Sequence, residues 1–320
     1  MRYRPLGNTG IAVSEIGFGT WGIGGVTSGA TSYGPQDDKA SLAALDAALD
    51  SGINFFDTSN CYGDGHSETL LGTAFRGRRD RAIIASKAGR EDYIWTASSP
   101  AHIRNSLDGT LARLGTDYLD VLQLHGPTLE DLRLNPGIIG VLGELKSEGR
   151  IRAYGISVNS PEEGIEAVNE FDFPVVQVNL NLVDQRAIQC GLIDLAATKK
   201  VGLIVRTPLC FGFLSGKMDT DVSFPETDHR SRWSPAQIGT WIAASSMFVE
   251  SLESRDRQTK AQIALRFCLS FGPVSAVIPG ILSADEAREN ASASPLGPLT
   301  DSEIETICQI YEGKEFFVRE

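Results

Sequence analysis

The chain has 320 residues, of which 42% are hydrophobic, 22% charged and 8% aromatic. That is ample apolar side chain for a buried core, and it excludes a disordered or collagen-like chain. With 29 basic and 41 acidic residues the net charge is −12, which argues against a nucleic-acid surface and against binding to an anionic membrane. No apolar run reaches the ~18 residues of a membrane span, and the opening Met1-Arg2-Tyr3-Arg4-Pro5 lacks the apolar core of a secretory signal. Five scattered cysteines, none in a C-x-x-C pair, and only four histidines predict a reduced, cytoplasmic chain without a metal centre.

In chain order, the first predicted element is a hairpin, with residues 2–5 and 11–14 flanking Asn8-Thr9-Gly10. Strand-like runs follow at 15–19, 53–57, 82–87, 119–125, 151–157, 175–179, 202–206 and 274–279. Helical patterns separate them, for example at 37–50, 67–75, 100–114 and 161–169. Ser160-Pro161-Glu162-Glu163 combines the start signals of a helix: a capping serine, a proline in the first turn, and acids near the positive end. Eight strands, each followed by helix and with no Pro/Gly/Ser-rich linker between them, predict one α/β domain over residues 1–320. Its expected form is a single (β/α)8 TIM barrel with an N-terminal β-hairpin, and a doubly wound sheet is the competing arrangement. Residues 211–235 are too long for a routine connection and suggest a lid over a site or a mobile surface excursion.

Gly17-Phe18-Gly19-Thr20-Trp21-Gly22 matches the G-x-G-x-x-G pattern, but a Gly/Ser/Thr-rich loop follows where a Rossmann unit opens a helix toward the pyrophosphate. Gly216-Lys217 lacks both the upstream glycine and the following hydroxyl residue of a P-loop, and no tyrosine has a lysine four residues later. A better signal is spread over three successive strand ends: Asp57 followed by Tyr62, then Lys87, then His125. In a barrel these ends open on one face, where the side chains converge. Singly each has a structural reading too: a turn cap, a packed ring, a solvated amine, a hydrogen-bonded core imidazole.

With these residues the chain resembles the aldo-keto reductase superfamily from the hairpin to the last helix. The landmarks are Phe55-Phe56-Asp57-Thr58, Tyr62-Gly63, Ser67-Glu68, Gly72, Lys87, Leu124-His125, Gly155-Ile156-Ser157, Gln177, Pro208-Leu209, Gly216-Lys217, Ile278-Pro279-Gly280 and Glu289-Asn290. The resemblance implies an (α/β)8 barrel, an extended nicotinamide cofactor bound without a Rossmann domain, and interconversion of carbonyl and alcohol. Tyr62 is then the general acid, Lys87 the cation that lowers its pKa, Asp57 the carboxylate that orients Lys87, and His125 a donor to the substrate carbonyl. An ammonium at about 4 Å contributes on the order of 4 kcal/mol toward tyrosinate, about three pKa units, at an effective dielectric near 20.

For the cofactor, the resemblance places Ser157 and Gln177 at the nicotinamide carboxamide. Thr207, Pro208, Leu209 and Phe211, with Lys217 and Arg230, form a clamp on the pyrophosphate. Gly280, Glu286, Glu289 and Asn290 lie at the adenosine end, and Trp21 walls the substrate site. The ring that stacks on the nicotinamide in relatives has no aromatic match at Arg206-Thr207, and Val158 follows Ser157 where Asn is common. NADP is the expected cofactor. NAD stays open, because Leu282 and Glu286 stand where many relatives carry phosphate donors. Three functions follow: reduction of a small carbonyl or sugar substrate with NADP(H), an NAD-linked sugar or polyol dehydrogenase, and a cofactor-binding regulatory subunit.

Overall fold

The computed structural model describes all residues except 27–31, 92, 98, 254–255, 257 and 319–320. The chain opens with the antiparallel hairpin of β1 (Tyr3–Pro5) and β2 (Ala12–Ser14), Tyr3 opposite Ser14. The barrel strands begin with β3 (Phe18–Gly19), β4 (Phe55–Asp57) and β5 (Ile83–Ala88). A small ribbon, β6 (Arg90–Glu91) with β7 (Ile94–Trp95), branches off after β5. The barrel resumes with β8 (Leu119–His125), β9 (Ile151–Ser157), β10 (Val175–Asn179), β11 (Gly202–Arg206) and β12 (Val274–Ile278). Each barrel strand pairs in parallel with the next. The ring closes where Gly17 N–H donates to Val277 O at 2.8 Å and Val277 N–H to Glu15 O at 2.9 Å. Closure excludes the doubly wound alternative, whose sheet has two free edges.

Helices cover the outside: α1 (Asp38–Asp50), α2 (His66–Ala74), α3 (Pro100–Leu114), α4 (Leu129–Leu134), α5 (Gly137–Ser147), α6 (Pro161–Phe171), α7 (Arg186–Gln189), α8 (Leu192–Lys199), α9 (Pro235–Glu250), α10 (Lys260–Leu269), α11 (Ala284–Ala291) and α12 (Asp301–Glu312). The start of α6 is as read from sequence, with Ser160 Oγ accepting Glu163 N–H at 3.3 Å. α11 starts in a different way. Ser283 Oγ accepts Glu286 N–H at 3.2 Å, but the Glu286 carboxylate reaches back to Leu282 N–H at 2.8 Å instead of to Ser283, so the capping box is offset by one residue.

Two cores result. Outward strand residues pack under the helices, while inside the barrel Leu6, Ile11 and Val13 of the hairpin meet Phe55, Ala85, Val121, Ala153, Val175, Ile204 and Ala276. The hairpin thus plugs the N-terminal mouth. Side chains of a strand alternate with period two, so the residues two places further along point inward one layer higher. They are Asp57, Lys87, Gln123, Gly155, Gln177, Arg206 and Ile278. The apolar floor gives way to a mostly polar layer facing the C-terminal mouth, with Ile278 still part of the apolar cluster.

The long connection at 211–235 is a packed loop. His229 N–H donates to Ser32 O at 2.9 Å, Phe213, Asp228 and His229 are buried, and Phe211, Lys217, Met218 and Arg230 face the cavity below.

Candidate active site

The C-terminal mouth holds a cavity of about 410 Å3, within the usual range for small-molecule sites. Every residue given a catalytic, cofactor or substrate-wall role from the sequence lines it except Lys87, which lies buried directly behind. Lys87 Nζ donates to Asp57 Oδ1 at 2.5 Å, to Thr58 O at 2.9 Å and to Tyr62 Oη at 3.1 Å. The other carboxylate oxygen of Asp57 accepts from Gln177 Nε2 at 2.7 Å and from Gln123 Nε2 at 3.0 Å. Asp57 is therefore fully committed, and an ammonium that would otherwise be stranded in the core has its counter-ion.

Backbone geometry fixes Tyr62. Gly63 follows it at φ 62°, and a Cβ there would lie 1.9 Å from Gly24 O. The turn behind the tyrosine is thus pressed against the loop after β3, a contact that only glycine allows.

The electrostatics correct one expectation. Burial raises the Tyr62 pKa above its ordinary value, and Lys87 opposes that shift without overcoming it. An isolated phenol–ammonium pair lacks the desolvation of the phenolate, which is the larger effect here. For Lys87 burial disfavours the charge, but Asp57 and then Tyr62 outweigh it and hold the ammonium above the usual lysine range. Burial, reinforced by Lys87, Arg90 and Arg206, holds His125 well below the usual histidine range, so the imidazole is neutral at neutral pH.

His125 Nδ1 lies 3.2 Å from Ser59 Oγ, which also accepts Cys61 N–H at 3.2 Å. The single Ser59 hydroxyl hydrogen has two acceptors at 3.2 Å, Asn60 Oδ1 and His125 Nδ1, and when it goes to Nδ1 the proton of the neutral ring sits on Nε2 as a donor. Sequence reading missed Ser59 and also Gln123, which sits two residues before His125 on the same inward face. Its signal was a polar residue at an inward position of an apolar strand.

Other expected contacts are already engaged. The Gln177 amide N–H groups serve Asp57 and, at 3.2 Å, Gln123 Oε1, leaving its oxygen toward Ser157 Oγ at 3.5 Å. Lys217 pairs with Glu289 and Arg230 with Asp228, each at 2.6 Å. Arg230 also lies over the Tyr33 and Phe224 rings. Trp21 Nε1 donates to Tyr93 Oη at 3.0 Å, holding the indole over the mouth. Thr207, Cys210 and Phe211 all have positive φ (54°, 44° and 56°), and Gly212 continues the turn at 93°. Non-glycine residues in that region are strained and gather at functional sites, and such turns aim backbone N–H groups into anion-binding hollows. The groove from Tyr62 past this loop to Asn290 suits an elongated, partly anionic cofactor.

The aldo/keto reductase family profile matches residues 15–312. Aldo-keto reductase YhdN of Bacillus subtilis is 31% identical over 277 residues, covering 84% of this chain and 81% of that protein. Aldo-keto reductase AKR11C1 from Bacillus halodurans, in its holo form, superposes with a TM-score of 0.79 at 30% identity, covering 98% of each chain. Glycerol dehydrogenase AKR11B4 from Gluconobacter oxydans gives 0.80 at 28% identity, covering 99% of this chain and 97% of that one.

Proposed function

Because the chain belongs to the aldo/keto reductase family of oxidoreductases, we propose that it reduces an aldehyde or ketone to an alcohol, with Tyr62 as the proton donor. The observation that carries this reading is Tyr62 Oη at the cavity wall with Lys87 Nζ 3.1 Å away and Asp57 2.5 Å behind it. When bound, the nicotinamide cofactor supplies the hydride. Ser157, the Gln177 oxygen and the Thr207–Gly212 turn are the residues that would hold it. Tyr62 carries its proton at neutral pH, as an ordinary phenol does, and burial raises its pKa further. As negative charge develops on the substrate oxygen, the phenol gives up that proton, and Lys87 stabilises the phenolate left behind. His125, neutral and donating from Nε2, polarises the same oxygen. In the oxidative direction Tyr62 takes the proton back.

Tyr62→Phe tests the assignment. Turnover should fall about 100-fold or more, with cofactor affinity, followed by nicotinamide fluorescence, within about threefold. Turnover near that of the wild type would remove Tyr62 from the chemistry.

A second reading keeps the fold and chemistry but exchanges the cofactor and the favoured direction, as an NAD-linked polyol or sugar dehydrogenase. Leu282 and Glu286 favour it. Glu286 faces the cavity and is anchored by Leu282 N–H at 2.8 Å, where it repels a 2′-phosphate and accepts from a ribose hydroxyl. The similarity to a glycerol dehydrogenase supports the same direction. Initial rates with NADPH and NADH on one aldose and one aromatic aldehyde decide between them. A preference of about tenfold for NADH selects the second reading.

A further inference from the structure

The ribbon of β6 and β7 brings a second phenol to the cavity, and the chemistry above does not use it. Arg90 lies opposite Trp95 and Glu91 opposite Ile94, with Tyr93 in the tight turn between the two strands. Its φ is 62°. Such turns favour glycine, asparagine or aspartate, because a bulky side chain at positive φ is strained. A tyrosine held there calls for a reason beyond the turn itself. The base of the ribbon is fixed. Gly89 O accepts Thr96 N–H at 2.8 Å, and the Trp95 ring lies 2.0 Å from where a Cβ on Gly89 would be. Arg90 O accepts from Asn60 Nδ2 at 3.0 Å and from the Cys61 thiol at 3.3 Å, which pins the ribbon to the residues just before Tyr62.

Tyr93 lines the same cavity as Tyr62 and His125. Its Oη accepts from Trp21 Nε1 at 3.0 Å, and among the described residues the indole is the one partner of that hydroxyl. The indole takes a lone pair, so the phenolic hydrogen remains to be donated elsewhere. Burial raises the Tyr93 pKa above the ordinary phenol range, and Tyr62, Cys61 and Asp64 push it the same way. Tyr62 has an ammonium at 3.1 Å, whereas the partner of Tyr93 is neutral. Tyr93 is therefore a hydrogen-bond donor and not a second acid. Trp21 beside it meets Tyr33 and His229 edge-on, with ring centroids 5.1 and 4.4 Å away. The hydroxyl is thus a polar point on an aromatic wall. A hydrocarbon chain laid against it would strand the O–H, while a neutral oxygen acceptor would satisfy it.

Building on the carbonyl-reductase reading, we propose that Tyr93 is a specificity residue, donating its hydroxyl hydrogen to a hydroxyl that the substrate carries near its carbonyl. The favoured substrates are then short hydroxyaldehydes or hydroxyketones, with Tyr62 and His125 at the carbonyl and Tyr93 at the neighbouring oxygen. Propanal, 2-hydroxypropanal and 3-hydroxypropanal share one carbon chain and differ in the hydroxyl alone. For each, kcat/KM is measured with the wild type and with Tyr93→Phe, so that intrinsic reactivity and hydration of the aldehyde cancel. The loss in the variant should be about fivefold or more greater on one hydroxylated aldehyde than on propanal, one hydrogen bond. The aldehyde that responds gives the position of the hydroxyl. An equal loss on all three would overturn the proposal and leave Tyr93 as a support for Trp21. So would no loss on any of them. Saturation-transfer magnetic resonance of 1-propanol, propane-1,2-diol and propane-1,3-diol, with saturating NADP+ or NAD+, needs no turnover. If no aldehyde is reduced, but one diol binds more tightly than 1-propanol to the wild type and loses that advantage in Tyr93→Phe, the Tyr93 site stands and the reductase reading falls. If neither diol has an advantage in the wild type, or the variant keeps it, the site is refuted whatever the turnover.

Discussion

At the scale of single residues, the proposed reaction depends on Tyr62 keeping one proton in place until it is needed. Burial pushes Tyr62 upward while Lys87 pulls downward; a phenol is already protonated at neutral pH, and on the proposed reading Lys87 stabilises its conjugate base during transfer. The alkaline limb of kcat/KM for reduction should therefore lie above the ordinary tyrosine value of about 10 in the free enzyme. With His125 held neutral, the profile should be flat from about pH 6 to 8, and a break near 6.5 would show an imidazolium in the site. Ser59 is a positioning residue for that imidazole, at 3.2 Å from Nδ1. Ser59→Ala frees the ring to put its proton on Nδ1. The expected result is a drop in kcat of about tenfold, one hydrogen bond to a developing charge, with cofactor affinity and melting temperature little changed. An equal fall in thermal stability would make Ser59 a packing residue instead.

At the scale of elements, the strand ends were legible in order, because each catalytic type closes a run of apolar or β-branched residues and the chain supplies them one after another. The doubly wound alternative could not be excluded at that level, since closure depends on contacts such as Gly17 with Val277, far apart in sequence. Gln123 was invisible as a site residue for a related reason. Period two says which residues share a face, but not which face is the inside of a barrel. Likewise, nothing local announces that Lys217 meets Glu289 across the groove, or that Gln177 spends its amide hydrogens on Asp57. The same layering makes a claim about the hairpin. Leu6 is fully buried against the barrel floor, and Leu6→Ala should cost about 2–5 kcal/mol in urea unfolding. Because the polar layer rests on that floor, kcat should fall as well. A stability loss under about 1 kcal/mol would show that the hairpin is not the plug.

At the scale of the whole molecule, the roof of the cavity is tied down by one histidine. His229 sits edge-on to Trp21, Tyr33 and Trp233, with ring centroids 4.4, 5.2 and 5.2 Å away, and at 5.0 Å from Phe211. Its Nδ1 faces Ser32 O at 3.3 Å, while Nε2 is buried without a partner. Burial, followed by the charge of Arg232, lowers its pKa to about 4. Above about pH 6.5 the ring is neutral in both folded and unfolded chains and adds no pH dependence. Between 6.5 and about 4 the unfolded chain binds the proton and the folded one refuses it, so stability falls as pH falls, and below that range the effect levels off. Going from pH 7 to 5 should then cost up to about 2 kcal/mol from this residue alone. His125, shifted the same way, adds its own share. In His229→Phe, which keeps a ring in the cage but cannot titrate, the difference in unfolding free energy between the two pH values should shrink by about 1–2 kcal/mol. Trp21 and Trp233 touch the imidazole, so their fluorescence should report the acid transition in the wild type and lose it in the variant. An unchanged acid dependence in His229→Phe would place the titrating group elsewhere, with His125 at the reacting end of the same cavity the next to examine.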